Sequence, residues 1–299
     1  MTGSRMRDLA KLLIPDVILS RVRAQRVRYN RRSIVRVSAR EPVVLIPDNN
    51  VEHYYHFVFD LALPLFLLLE HAGSQTTFVV KTSGPFLSRL ERLFPDRLIL
   101  SNGPERTTGV EHILLGMNPI FVAVTARELL AFSRHVRTSF GVAPAGTPRK
   151  VLLIERLETQ EFFAKAARKR GGGASRRHIP NHGELADDLS SIVRSPFEFV
   201  NVQLEQMSFR EQIRVFGDAV VVVGQHGAGL ANTLWMAAGG NVIELSNDPA
   251  MPHFRTLSRI LDHQYFCHRT VGPHTPIEVH RLIGELQRDE RFTEFFGRV

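Results

Sequence analysis

The sequence contains a single cysteine, Cys267, among its 299 residues. One thiol cannot close an internal disulfide, which excludes a disulfide-stabilised fold and indicates a reducing compartment. No stretch reaches the roughly 20 consecutive apolar residues of a membrane-spanning helix, because Asp60 and Pro64 interrupt the most apolar segment, residues 57–69. The first residues carry charges inside their apolar stretch and no small-residue cleavage site, unlike a secretory signal. These absences predict a cytoplasmic protein.

The charge of the chain is concentrated near its N-terminus. The formal net charge is +8, and residues 1–50 hold eleven Lys and Arg against four Asp and Glu, so the remainder is nearly neutral. Such a basic arm is interpreted as a solvated edge hairpin, as peripheral contact with the inner face of a membrane, or as a nucleic-acid contact. No nucleic-acid partner is expected, because no aromatic platform accompanies the arginines.

Apolar strand patterns alternate with helical patterns along most of the chain, which predicts an α/β fold with largely parallel sheets. A Gly/Pro/Ala linker at residues 141–148 divides two halves of similar size, and a basic glycine-rich loop occupies residues 168–177. We expect an N-terminal arm and first domain over 1–145, a second domain over 146–275, and a final helix over 276–299. Whether that helix packs back on the first domain is left open. A cleft between the halves is the expected site.

The strongest local motif is AVVVVGQHGAGLANTLWM, residues 219–236. A buried strand ends at Gly224, a turn follows, and a helix begins at once. Backbone N–H groups at a helix N-terminus, reached past glycines, form a phosphate site. The alternative is a tight turn in which the histidine is only structural. The glycine spacing matches neither a dinucleotide fingerprint nor a P-loop. The candidate donor-binding residues here are Gln225, His226, Gly227, Ala228, Gly229 and Asn232.

Other polar residues are candidates for the same site. Glu244 follows in NVIELS, where a carboxylate could accept the hydroxyls of a ribose or could be a surface acid at a strand end. Arg156 and Arg177 could bind a diphosphate through their forked donors, with Asn181 beside them. An arginine taken alone is more often a solvated surface charge.

In the first half, His56 and Asp60 are four residues apart on an apolar helix, so they lie on one face. An imidazole oriented by a carboxylate is a candidate general base. Which of the two residues acts as the base is open, and so is the alternative of a buried polar pair that only packs the helix. No metal site is expected, because no third ligand is evident.

Three stretches together resemble glycosyltransferase family 61: HYYHFVFDLALPLFLLL, RRHIPNHGEL, and EQIRVFGDAVVVVGQHGAGLANTLWM followed by NVIEL. The resemblance implies a GT-B architecture, with two Rossmann-like domains and a cleft between them. It further implies that Arg177 and the turn Gln225–Gly229 face the donor phosphates, and that Glu244 lies near the nucleoside.

The resemblance also implies an inverting, metal-independent transfer of a sugar from a nucleotide-sugar, with no cofactor. The expected donor is UDP-linked, with GDP, CMP and TDP left open. The expected acceptor is a glycan or lipid-linked glycan of bacterial capsular or surface polysaccharide. Two alternatives are a non-catalytic nucleotide-sugar-binding protein and a basic scaffold for membrane or nucleic acid. The sugar, the linkage and the oligomeric state are not determined by these motifs.

Overall fold

A computed structural model describes residues 43–47, 51–72, 78–81, 84–101, 111–115, 124–144, 146–157 and 177–297. The chain divides into two compact units, one ending at Ser139 and the other beginning at Phe140. The predicted boundary at residue 145 lies a few residues further along, inside the Gly/Pro/Ala linker. The basic arm, residues 1–40, and most of the glycine-rich loop, residues 168–176, lie outside the described residues.

The described part of the first unit contains a four-stranded sheet in the order β3-β2-β1-β4, with all neighbours parallel. Its strands are β1 (Val43–Pro47), β2 (Phe78–Lys81), β3 (Leu98–Ser101) and β4 (Glu111–Leu115). This order matches the first four positions of the strand order 3-2-1-4-5-6 of a dinucleotide-binding fold.

The first helix of this unit, α1, has three consecutive parts: Tyr54–His56, a π-helical segment Phe57–Ala62, and Leu63–Ala72. Apolar side chains surround it, and Phe57, Phe59, Leu61 and Leu63 are fully buried. The sequence predicted one regular helix here and missed the π segment, since its wider turn leaves no periodic signal in an all-apolar stretch. The other helices are α2 (Leu87–Leu93) and α3 (Ala126–Ser139).

The described part of the second unit contains a five-stranded parallel sheet in the order β6-β5-β7-β8-β9. Its strands are β5 (Lys150–Glu155), β6 (Glu198–Gln203), β7 (Ala219–Gln225), β8 (Asn241–Ser246) and β9 (Gln264–Arg269). The strand order reverses between β5 and β7. Ligands of open parallel sheets bind at such a reversal, beyond the carboxyl ends of the strands. The predicted parallel α/β fold is therefore confirmed, while β9 was not predicted.

The helices of this unit are α4 (His182–Ile192), α5 (Phe209–Gly217), α6 (His253–Ile260) and α7 (Val279–Arg288). A capping box begins α5: Glu211 N–H donates to Ser208 Oγ and Ser208 N–H to Glu211 Oε2. The segment Ala228–Trp235, expected to be an ordinary helix, is a 3₁₀ helix. Side chains inside it bond carbonyls three residues back, which favours the tighter winding: Thr233 Oγ1 donates to Leu230 O at 2.8 Å.

The C-terminal segment belongs to the core of the second unit. Leu282 and Leu286 of α7, with Phe292 after it, pack with Leu185 and Leu189 of α4. Val193 and Phe296 form an antiparallel bridge. The final helix is shorter than predicted, and it packs within the second unit. Among the described helices, none is long and apolar enough to cross a membrane.

Candidate functional site

The carboxyl edge of the second sheet gathers most of the residues singled out in the sequence. Arg156 follows β5 directly, and Gln225 and His226 end β7 and begin the turn. The pairing of Ile154 with Gly224, and of Gly224 with Glu244, brings the ends of these strands side by side. Because all the strands are parallel, residues distant in sequence meet at one edge.

Two arginines converge on one carbonyl oxygen of this turn. Arg156 Nη2 donates to His226 O at 2.9 Å, and Arg177 Nη1 donates to the same oxygen at 3.4 Å. The 3₁₀ helix begins two residues later, at Ala228. Two guanidinium charges beside the N-terminal end of a helix create an environment that favours an anion.

Gly227 permits this approach. Its φ of 155° disfavours any L side chain, and a Cβ added here would lie 1.5 Å from Arg156 Nη2. The guanidinium thus lies against bare backbone, where another residue would place its side chain. Gly229 is also tightly packed, since a Cβ there would meet Leu204 at 3.1 Å. Both glycines are required by close contact, and Gly227 makes room for an arginine of the chain itself, whereas the sequence analysis expected the glycines to let a ligand approach.

A buried chain of polar groups holds the His226 side chain. Its Nδ1 hydrogen bonds to Glu244 Oε1, and the other carboxylate oxygen accepts the Tyr265 hydroxyl at 2.6 Å. Burial, followed by the neighbouring Glu244 carboxylate, raises the pKa of Tyr265 well above its usual range. The Tyr265 hydroxyl therefore keeps its proton and donates a hydrogen bond to Glu244.

This arrangement changes the interpretation of Glu244. It is 1% exposed and lies within β8, so the alternative of a surface acid at a strand end is wrong. Both of its oxygens are engaged by protein groups, so the geometry makes it the partner of His226 rather than an open acceptor for ribose hydroxyls. Tyr265 was missed because it lies on β9, which the sequence did not reveal.

The His226 ring lies beneath α6. Its centroid is 5.3 Å from that of Phe254 and 6.0 Å from that of His253. With Nδ1 bound to Glu244, the remaining ring nitrogen is Nε2, which has no hydrogen-bond partner in the described parts of the chain. The side chain retains about 10% exposure. Nε2 is therefore the atom through which His226 can meet a ligand.

A polar cavity of about 260 Å³ adjoins Arg156, and its walls include Glu155, His178, His182 and Gln225. The Gln225 amide nitrogen donates to Pro273 O at 3.0 Å, which fixes the orientation of the amide. Its Oε1 is buried without a partner among the described residues. Such an orphaned acceptor is costly in a structural role and is typical of a site that a ligand completes.

Two predicted donor-binding residues have structural partners instead. Asn232 is fully buried: it accepts Trp235 Nε1–H at 2.9 Å and donates to Gly229 O at 3.1 Å, so it fixes the 3₁₀ helix. Asn181 exchanges hydrogen bonds with the backbone of Ile277 at 2.8 and 2.9 Å and donates to Glu184. Asparagine amides in these positions hold the elements around the turn, and Asn232 has no surface to offer a ligand.

In the first unit, His56 Nδ1 and Asp60 Oδ2 are 2.6 Å apart. The two side chains lie on one face, across the start of the π segment. The Asp60 side chain is fully buried, whereas that of His56 is 38% exposed. A buried carboxylate therefore orients an imidazole that reaches the surface, which is the geometry of a general base. Across the described residues, no cluster of three or more His, Cys, Asp or Glu side chains could hold a metal ion.

The sequence matches the family Glycosyltransferase 61 over residues 54–243, which is more than half of the chain. The chain belongs to glycosyltransferase family 61. The match begins in α1, at the His56–Asp60 pair, and ends in β8, so it contains the turn, both arginines and His226. The resemblance seen in the sequence is confirmed.

Several curated members of family 61 are similar to this chain. Beta-1,2-xylosyltransferase of Arabidopsis thaliana is 28% identical over 139 residues, 44% of this chain and 26% of the relative. The human Protein O-linked-mannose beta-1,4-N-acetylglucosaminyltransferase 2 is 25% identical over 162 residues, 52% and 25% respectively. The EGF domain-specific O-linked N-acetylglucosamine transferase of Gallus gallus is 28% identical over 139 residues, 46% and 24%. The matched region spans about a quarter of the length of these relatives.

Proposed function

We propose that this chain is an inverting glycosyltransferase that moves a sugar from a nucleotide-sugar to a glycan hydroxyl without a metal ion. The observation that carries this proposal is the convergence of Arg156 and Arg177 on the His226 carbonyl, at the carboxyl edge of a parallel sheet in a family 61 chain. A GT-B organisation, with the donor held by the second unit, is part of the proposal.

The second unit would stabilise the leaving group. When the bond between the anomeric carbon and the diphosphate breaks, negative charge develops on the departing oxygen. Guanidinium groups already positioned on rigid backbone stabilise such charge without reorganisation. Arg156 and Arg177 supply that positive charge, and His226 supplies an imidazole nitrogen at the same turn. The orphaned Gln225 oxygen gives the donor a further hydrogen-bond acceptor.

The first unit would supply the base. In an inverting displacement the acceptor oxygen attacks the anomeric carbon, the diphosphate leaves from the opposite side, and the hydroxyl proton passes to a base. His56, oriented through Nδ1 by Asp60, can take that proton at Nε2, and the buried carboxylate stabilises the resulting imidazolium. Asp60 is therefore the orienting group and His56 the base in this proposal.

The proposed donor is UDP-linked, and the proposed acceptor is a glycan or lipid-linked glycan of a bacterial surface polysaccharide. The names of the relatives, which are xylosyl- and N-acetylglucosaminyltransferases, support a sugar donor and a glycan acceptor in general terms. The basic segment before residue 40 supports peripheral contact with the inner face of a membrane.

The first test is a calorimetric screen of UDP, GDP, CMP and TDP and their sugars, in EDTA. A ligand of the folded state also raises its melting temperature by mass action. We expect one nucleoside diphosphate to bind in EDTA, and Arg177→Ala to weaken it roughly 10- to 100-fold through loss of a charged hydrogen bond. Arg259→Ala, which removes an exposed arginine from α6, is the matched control. Absence of binding by every nucleotide would overturn the proposal.

The stereochemical and metal parts need a transfer assay. Proton NMR of the product should show the anomeric configuration opposite to that of the donor sugar. Rates in EDTA should equal those with added Mg²⁺ or Mn²⁺. A product with retained configuration, or a rate restored only by metal, would refute that part while leaving sugar transfer intact.

A further inference from the structure

The mechanism proposed so far uses His226 but not the two groups bonded behind it. Glu244 is almost completely buried, and both of its oxygens accept hydrogen bonds, one from His226 and one from Tyr265. A buried carboxylate is stable as an anion only when such bonds replace its lost hydration. The Tyr265 hydroxyl supplies the bond that His226 does not, so each oxygen of the buried carboxylate has a partner.

The charge of Glu244 determines which atom His226 presents. An ionised carboxylate only accepts, so the imidazole must direct its Nδ1–H toward Glu244. The ring is then fixed, with Nε2 away from the carboxylate. If His226 gains a proton, that proton is placed on Nε2, where it can be donated to a phosphate oxygen.

Other groups around these residues do not replace the Tyr265 hydroxyl. From α6, His253 contacts the His226 ring edge, and the Arg255 guanidinium lies 5.5 Å from the centre of the Tyr265 ring. Cys267 of β9 adjoins Glu244, and burial, followed by that carboxylate, raises the pKa of its thiol, so it remains neutral. Arg156 and Arg177 donate to the His226 carbonyl.

We propose that Tyr265 is a positioning residue for donor binding: by hydrogen bonding Glu244 Oε2 it maintains the carboxylate that orients His226 Nδ1, so that Nε2 meets the donor diphosphate. This inference rests on the proposed function, because it assigns His226 a diphosphate as its ligand. It adds to that function a residue on a different strand, 39 positions beyond His226 in the sequence.

The matched pair of variants is Tyr265→Phe and Glu285→Gln. Tyr265→Phe removes only the hydroxyl and keeps the ring beneath Arg255. Glu285→Gln removes the charge from a similar bond to the same strand, between Glu285 Oε2 of α7 and His268 Nδ1 of β9 at 2.7 Å, without touching the turn. UDP is the probe, and the readouts are its calorimetric affinity and ¹⁵N spectra of labelled histidines, in which a His226→Ala sample identifies the His226 signals.

In the unmodified protein we expect His226 to be protonated on Nδ1 in the absence of UDP. Tyr265→Phe should shift the ¹⁵N resonances of the His226 ring. It should also weaken the affinity for UDP roughly tenfold, which is the size of effect expected for loss of a hydrogen bond to a charged group. Glu285→Gln should leave both unchanged. If Tyr265→Phe does not fold, fluorotyrosine at position 265, a stronger donor of similar shape, should shift the same nitrogens in the opposite direction.

The outcomes separate the two proposals. Unchanged His226 signals and unchanged UDP affinity in Tyr265→Phe would overturn the positioning role and leave the proposed function standing. Equal weakening by Glu285→Gln would also overturn it, because general loosening of β9 would then explain the effect. If the unmodified protein binds no nucleoside diphosphate, both proposals fail.

Discussion

Two carboxylate–imidazole pairs in the second unit have nearly the same bond but opposite burial. In His226–Glu244 the carboxylate is 1% exposed and the imidazole 10%. In His268–Glu285 the imidazole is 2% exposed and the carboxylate 24%. In the first pair the Glu244 carboxylate lies in the core, and the His226 ring is the more exposed member. The second hides its ring between β9 and α7, so it joins two elements and offers no reactive atom.

The His56–Asp60 pair of the first unit follows the first pattern, with a fully buried carboxylate and a partly exposed imidazole. The direction of burial, rather than the presence of a carboxylate–histidine bond, therefore distinguishes the candidate functional pairs from the structural one.

Breaking the His56–Asp60 pair of the first unit should sharply lower turnover. We expect His56→Ala and Asp60→Asn to lower kcat by about 10²–10⁴-fold, the usual contribution of general base catalysis. UDP affinity should remain near that of the unmodified protein, because these residues are not assigned to the donor. Steady-state kinetics with parallel calorimetry checks both statements, and loss of UDP binding in these variants would contradict the assigned role.

Adding a methyl group at Gly227 should disable the donor turn. Gly227→Ala forces the Cβ into Arg156 and strains a φ that alanine rarely adopts, so we expect UDP affinity to fall at least about 100-fold through loss of the arginine contacts. Gly284→Ala, in the middle of α7, is the control and should raise stability by about 0.5–1 kcal/mol. A Gly227→Ala protein that binds UDP normally would show that Arg156 does not act from its observed position.

Breaking the inward-facing pair should affect stability alone. Burial acts to raise the pKa of Glu285, but hydrogen bonds from His268 and Arg281 outweigh it and hold the pKa below the usual 4.5. A carboxylate whose pKa is lowered by folding stabilises the folded state at pH values above its unfolded-state pKa. This stabilisation is lost as the pH falls through the lowered, folded-state pKa. Glu285→Gln should therefore cost about 1 kcal/mol at pH 7 and less at pH 3.5, as measured by denaturant unfolding. A change in UDP affinity would contradict the assignment of the His268–Glu285 pair to a purely structural role.

The smallest effect concerns His263, a buried histidine bonded to a carbonyl, Thr233 O at 3.2 Å, rather than to a carboxylate. Burial lowers its pKa below the usual 6.5. The unfolded chain then binds a proton that the folded chain resists, so stability should decline as the pH falls below about 6.5. His263→Gln should flatten this decline between pH 7 and pH 5.5. An identical slope in the variant would assign the pH dependence to other groups.

The sequence predicted the parts of this site that depend on local pattern. The apolar runs that became β5, β7 and β8 are nearly continuous and have clear ends, so Arg156, Gln225 and His226 were placed at strand ends. The position of Glu244 inside β8 depends on a burial pattern in which all six residues of the strand are covered. A strand covered on both faces gives no alternation from which an inward carboxylate can be identified.

The remainder depends on contacts between distant segments. Tyr265 meets Glu244 only because β9 pairs with β8, and QYFCHR carries too few apolar residues to be recognised as a strand. Asn232 was expected to bind the donor because it follows the glycine turn. In the 3₁₀ helix its side chain instead hydrogen bonds to Trp235 and to Gly229. The π segment beside His56 likewise has no signature in an all-apolar stretch.

The 3₁₀ helix that follows the donor turn carries Trp235, the single tryptophan of the chain. Its indole is fully buried, packs edge-on to Phe209, and is bonded to Asn232. Intrinsic tryptophan fluorescence therefore comes from this one residue, seven positions beyond Ala228, and no added fluorophore or removal of other tryptophans is needed. Trp235 is thus an intrinsic fluorescent probe of the donor turn. Its signal can follow nucleotide binding, nucleotide release and unfolding of the second unit separately from changes in the first unit.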